Sequence, residues 1–87
     1  MNASEIADAL RDFIKRRFSI AADDGDFDDD VHLFDFGYVD SFGAVDLTAF
    51  VEEHCAIKVS PSDMVVFPLN SIRQISDFAA KRANGEL

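Results

Sequence analysis

Ile6, Leu10, Phe13 and Ile14 recur at the spacing that places side chains on one face of an α-helix, and they predict a first helix from Ala3 to about Arg17. Asn2 and Glu5 stand at its start like a cap and its reciprocal partner. Burying those four apolar side chains would contribute on the order of 1.5–3 kcal/mol each before chain entropy is subtracted. That face is therefore core, and Arg11, Lys15, Arg16 and Arg17 are read as solvent-side and C-terminal helix charges. From Ser19 to Val39 the periodicity fails. The run Asp23-Asp24-Gly25-Asp26-Phe27-Asp28-Asp29-Asp30 has the composition of an exposed loop, while Val31, Leu33, Phe34 and Phe36 are apolar enough to pin the later half of the connection across a bundle.

Asp40 is a good N-cap for a second helix running from Ser41 to about His54, with Gly43 a mild weakness in its first turn. Ser60-Pro61-Ser62-Asp63 reads as a cap, a proline at the first helical position and an acid at the third, opening a brief third helix that Pro68 closes. Ser71 with Gln74 suggests another capping box, after which Ile72, Ile75, Phe78 and Ala79 repeat helically as far as Lys81 and Arg82, with Gly85 beyond as a stop. No hairpin dipeptide lies between alternating runs and no internal repeat is visible. The predicted fold class is all-α: a small four-helix bundle of three main helices plus one short helix, with a long loop between helices one and two.

The second helix carries two apolar faces. At 100° per residue Phe42, Val45 and Ala49 share one side, while Leu47, Phe50 and Val51 cluster opposite. So small a domain cannot bury both. The Leu47, Phe50, Val51 face is bulkier and uncharged, which assigns it to the core and leaves Phe42, Val45 and Ala49 for solvent or a partner. Asp46, Glu52 and Glu53 flank that second strip, which as a sequence shows acids and no base, the composition of a docking surface. The bland alternative is that Phe42 and Val45 pack under the long loop.

Composition narrows the function. The 87 residues suffice for one domain, residues 1–87 with a core of about 3–83, and 48% apolar content with nine phenylalanines supplies an interior. The net charge of −9 is concentrated: Phe18 to Ile57 holds eleven acids and no Lys or Arg. Such a field repels nucleic acid and favours basic protein surfaces. Cys55 is the only cysteine, which excludes an internal disulfide and a cysteine-based zinc site. The first residues lack a basic stretch followed by an apolar core, and no apolar run approaches the roughly 20 residues that span a bilayer, so a cytoplasmic monomer without membrane insertion is expected.

Two chemistries fail on inspection. Asp24, Asp26 and Asp28 have the alternate spacing of an EF-hand's first ligands, but Asp29 stands where the loop needs glycine and Asp35 where it needs a bidentate glutamate, so no metal site is assigned. A Ser41 hydrolase would need a base, and neither His32 nor His54 has a spacing that points at Ser41. No catalytic residue is assigned.

The stretch Leu33-Phe34-Asp35-Phe36-Gly37-Tyr38-Val39-Asp40-Ser41 resembles the Leu-Phe-x-x-Gly-x-x-Asp-Ser approach of the acyl carrier and peptidyl carrier protein family. Val45-Asp46-Leu47 is similar to its Val-Glu-Leu, Ala56-Ile57-Lys58-Val59 to its Gly-Ile-x-Ile loop, and Ser71-Ile72 with Ile75 and Phe78 to its last helix. Phe42 in place of Leu or Met, Cys55 in place of an aromatic and Leu69 in place of Phe depart from the pattern. The resemblance implies an acyl carrier-like fold and a 4′-phosphopantetheine arm, taken from coenzyme A by a phosphopantetheinyl transferase and attached covalently to Ser41, with Asp40 as motif residue and cap. It further implies that a ligase loads an acyl or aminoacyl group onto the arm as a thioester and that a downstream transferase or synthase with a basic docking surface consumes it. Docking residues would be Phe42, Val45, Asp46, Ala49, Glu52 and Glu53. The Gly-x-x-Asp-Ser spacing resembles stand-alone carriers of aminoacyl or small acyl units such as D-alanyl. The alternative from another class is an acidic helical interaction module that is never modified.

Overall fold

The computed structural model describes residues 1–87, and the predicted elements are present as α1 (Ala3–Arg17), α2 (Ser41–Cys55), α3 (Pro61–Val66) and α4 (Ile72–Ala83), with no strand. The α1 cap is reciprocal, as its residue types require: Asn2 Oδ1 accepts from the Glu5 N–H at 2.9 Å and Glu5 Oε1 from the Asn2 N–H at 3.0 Å. At α4 the expected box is only half present. Ser71 Oγ accepts from the Gln74 N–H at 3.2 Å, but the Gln74 side chain accepts from Asn70 instead, at 2.9 Å. Asn70 is where the long loop docks, its carbonyl accepting from the Leu33 N–H at 2.8 Å, and Gln74 satisfies the same residue's donor.

The core sits where α1 packs chiefly on α4, with α2 against both. Ile6, Leu10, Ile14 and Ile72 are fully buried, and Leu47 and Val51 bring the predicted face of α2 inward. Phe50 is half-buried and stacks on Phe13 with ring centroids 4.3 Å apart.

The loop between α1 and α2 is tied down more firmly than its composition suggests. Val31, Leu33 and Val39 are buried in the core, whereas Phe36, read as a fourth anchor, is 66% exposed. The chain turns back at Gly37 (φ 77°), and the tightness of that turn carries Phe36 outward. The acidic run is not simply solvated. Asp29 accepts two hydrogen bonds from Arg11 of α1, at 3.0 and 2.8 Å, and Asp30 pairs with Arg73 of α4. Asp28 turns its carboxylate onto its own loop's N–H groups, and Asp24 accepts from the Asp26 N–H and from the Tyr38 hydroxyl. Partial burial and the nearby Asp24 carboxylate hold that phenol above its usual range.

Ala56 ends α2 in the left-handed conformation (φ 54°, ψ 46°), and the Ile57 N–H returns to the Glu52 carbonyl at 3.1 Å. It occupies the place of the glycine in the Gly-Ile-x-Ile pattern. A side chain there costs about 1–2 kcal/mol, partly offset by the extra freedom glycine brings to the unfolded chain. Ala56→Gly is accordingly expected to stabilise the protein by about 0.5–1 kcal/mol and raise its melting temperature by a few degrees. Calorimetry showing an unchanged or lower Tm would contradict this reading.

Candidate functional site

Ser41 is exposed at the first position of α2. Three local features hold it there. Val39, 2% exposed, anchors the approach in the core, so the next residues emerge at the surface. Asp40 is extended (φ −96°, ψ −179°) and its Oδ1 accepts from the Gly43 N–H at 2.7 Å, fixing the helix start. Gly43 lets the first turn of α2 lie against the end of α1: a Cβ there would run into the Phe18 ring. The glycine counted from sequence as a helix weakness is therefore a close-approach residue.

Both histidines are occupied elsewhere. His32 Nδ1 accepts from the Asp35 N–H at 3.0 Å, and His54 stacks on Phe50 in the last turn of α2, about 20 Å of helix away from Ser41 at 1.5 Å per residue. The Ser41 hydroxyl is hydrogen-bonded to neither histidine. What the position offers is an accessible hydroxyl beside the positive end of a helix, a setting that suits a covalently attached phosphodiester. Cys55 is buried, and burial pushes its thiol up, consistent with a packing residue.

The second face of α2 is open, so Phe42 and Val45 do not pack under the loop: they are 85% and 69% exposed, and Ala49 is exposed beside them. The acids around them differ in a way the sequence does not reveal. Glu53 is exposed. Glu52 is half-buried, and its Oε2 accepts from the Val59 N–H at 2.8 Å, holding the connection after α2. Asp46 is paired with Arg17, whose Nη2 and Nε lie 2.6 and 3.0 Å from Oδ2. The strip read from sequence as lacking any base thus has one at its edge. Arg17 comes from the last turn of α1, lies over the Phe18 ring at 5.1 Å, and reaches across the gap that Gly43 keeps narrow.

Sequence reasoning missed a cleft of about 500 Å³ that begins one turn along α2 from Ser41. Ala44, Leu47, Thr48 and Val51 form its α2 side, the segment from Met64 to Leu69 its outer wall, and Ile75 and Phe78 part of its floor. The only sequence signal for it was a run of large apolar residues, Met64-Val65-Val66-Phe67, with no helical period to say which way they face. Asp63, at the start of that wall, is held by Arg82 of α4 through two bonds of 2.9 and 3.1 Å. Arg82, and then the Ser60 N–H, hold the Asp63 carboxyl well below the usual carboxylate range. A depressed folded-state pKa makes the pair's contribution complete above the ordinary carboxylate pKa of 3.8, and only strong acid removes it.

No helix is long and apolar enough to cross a membrane. Comparison with curated proteins returns no match. Comparison with family models matches residues 5–79 to the phosphopantetheine attachment site family, a span that includes most of α1, the long loop, α2, α3 and most of α4. With an all-helical fold and an open hydroxyl at a helix start already in place, that match identifies the chain as a member of the phosphopantetheine attachment site family of acyl and peptidyl carrier proteins, a carrier and not an enzyme, whose cofactor is covalently attached 4′-phosphopantetheine.

Proposed function

We propose that Ser41 is the residue that receives the phosphopantetheine arm and that residues 3–83 form a carrier unit presenting a thioester-bound acyl or aminoacyl group to partner enzymes. The observation that carries this reading is the exposure of the Ser41 hydroxyl at an aspartate-capped helix start, between buried Val39 and buried Gly43. Attachment forms a bond from Ser41 Oγ to the pantetheine-side phosphorus of coenzyme A as its pyrophosphate P–O bond breaks and adenosine 3′,5′-bisphosphate leaves, with the hydroxyl proton passing to a base of the transferase. Asp40 serves as cap and as part of what the transferase recognises.

Phe42, Val45 and Ala49 are the apolar part of the surface that partners engage, with Asp46, Glu52 and Glu53 as its acids. Asp46 is compensated by Arg17, and Glu52 keeps its charge but is half-buried and tied to the Val59 amide, so Glu53 is the acid presented most openly to a partner. Glu53→Lys is expected to slow arm attachment several-fold at low salt, and Asp46→Asn to slow it less, with both effects shrinking as salt is raised. Equal rates for wild type and Glu53→Lys at low salt would remove the acidic docking face.

The Gly-x-x-Asp-Ser spacing supports an aminoacyl or small acyl cargo similar to D-alanyl. The apolar cleft one turn from Ser41 favours a second reading, an apolar acyl chain. Tandem mass spectrometry of the protein from its native cell reads both attachment site and cargo. An arm on Ser41 supports the proposal, and an arm on any other serine overturns it.

A further inference from the structure

We infer that Arg17 is a selectivity residue of the open face of α2: it withholds Asp46 from basic partners, so the partner that fits brings its base to the Glu53 end and an uncharged apolar contact to the Ser41 end. This rests on the docking face proposed above and says which partner that face takes. Phe42, Asp46, Ala49 and Glu53 follow one another at helical spacing, so they form one row along the surface of α2. Asp46 and Glu53 are separated by two turns, about 10 Å at 1.5 Å per residue. The Debye length is also about 10 Å at 0.1 M salt, so a partner meets the two acids as separate charges.

Only one of the two is bare. Glu53 is exposed and pairs with no base of this chain, and Lys58 borders the same shallow hollow without an ion pair to it. Asp46 is covered, because both Nη2 and Nε of Arg17 donate to its Oδ2. The guanidinium is seated and not trailing: it comes from the last turn of α1 and lies over the Phe18 ring at 5.1 Å, and that ring rests against Gly43 of α2. A planar fork held by a ring and two bonds loses little freedom on pairing, so an incoming base has to displace it to reach the carboxylate. Both side chains are 48% exposed, which makes the pair a minor contributor to stability and leaves its charge pattern as its main consequence. Asp40, the other acid at this end, is turned onto the Gly43 N–H. What the Ser41 end presents is therefore exposed Phe42 and Val45 beside a neutral pair. Charge complementarity selects a partner whose base lies two turns away from that apolar contact, and it disfavours one whose base is aimed at Asp46.

Two measurements on the full chain test it, both in about 0.1 M salt, where screening keeps the two ends of the row distinct. The first is the rate of arm attachment by a broad-specificity phosphopantetheinyl transferase, which has to bring its surface to Ser41 whatever cargo follows. Arg17→Ala is expected to load about two- to fivefold faster than wild type, because Asp46 is uncovered. The gain should vanish when Asp46→Asn is added, a double variant with the net charge of wild type. It should be absent from Lys81→Ala, which alters net charge equally but at an exposed position on α4. The second is a charge map that needs no partner: amide relaxation caused by a cationic aminomethyl pyrrolidine nitroxide, divided by that caused by its anionic carboxy analogue. Arg17→Ala should raise this ratio at residues 45–47 about twofold or more, and less at 52–54. An unchanged loading rate in Arg17→Ala, a gain that survives Asp46→Asn, an equal gain in Lys81→Ala, or a ratio that rises no more at 45–47 than at 52–54 would overturn the inference. Wild type that takes no arm would remove the docking reading and this inference with it, whereas normal loading of wild type with no gain in Arg17→Ala overturns the inference alone.

Discussion

Leu33→Ala is expected to lower the unfolding free energy by about 3–5 kcal/mol, although the residue lies in no helix. Its side chain is fully buried, its N–H donates to the Asn70 carbonyl at 2.8 Å, and its own carbonyl accepts from the Val39 N–H at 3.1 Å. Truncation leaves a hole between the loop and the bundle that these backbone ties prevent from collapsing, which places the cost toward the upper part of the range. Small domains have about 5–15 kcal/mol in total, so one loop residue decides a large share of it. Phe36→Ala, three positions on and 66% exposed, should stay within about 0.5 kcal/mol. Urea unfolding of both variants provides the comparison. If Leu33→Ala costs no more than Phe36→Ala, the loop is a tether and not part of the core.

That contrast marks where the sequence could be read. The three long helices were legible because their caps and periods agree, Asn2 with Glu5, Asp40 before Ser41 and Ser71 before Ile72, and α3 was legible from its cap alone, Ser60 with Pro61 and Asp63. The division of α2 into a buried and an open face was legible too, since Leu47 and Val51 could not share a core with Phe42 and Val45. What the pattern could not carry was anything decided between elements. Phe36 and Leu33 look alike in a loop without a period, and only the turn at Gly37 separates them. Asp29, Asp30 and Asp46 look like solvated acids until Arg11, Arg73 and Arg17 arrive from other helices. Gly43 looks like a helix breaker until Phe18 lies on it, and the cleft exists only once α3 stands away from α2.

The second large effect concerns Ser41. It is exposed, it begins a capped helix, and its position is fixed by Val39 in the core and by the Asp40 cap. Replacing it with alanine removes one oxygen from a surface position, so the helix start, capped by Asp40, should persist and the fold with it. Attachment, by contrast, is expected to be lost, because the other serines lie at caps, in the core or in other settings without this motif.

The most direct measurement is the intact mass of wild type and Ser41→Ala after incubation with coenzyme A and a broad-specificity phosphopantetheinyl transferase, with circular dichroism to show that both are folded. Wild type is predicted to gain the mass of one phosphopantetheine and Ser41→Ala none. No gain in folded wild type, or an equal gain in Ser41→Ala, would contradict the account.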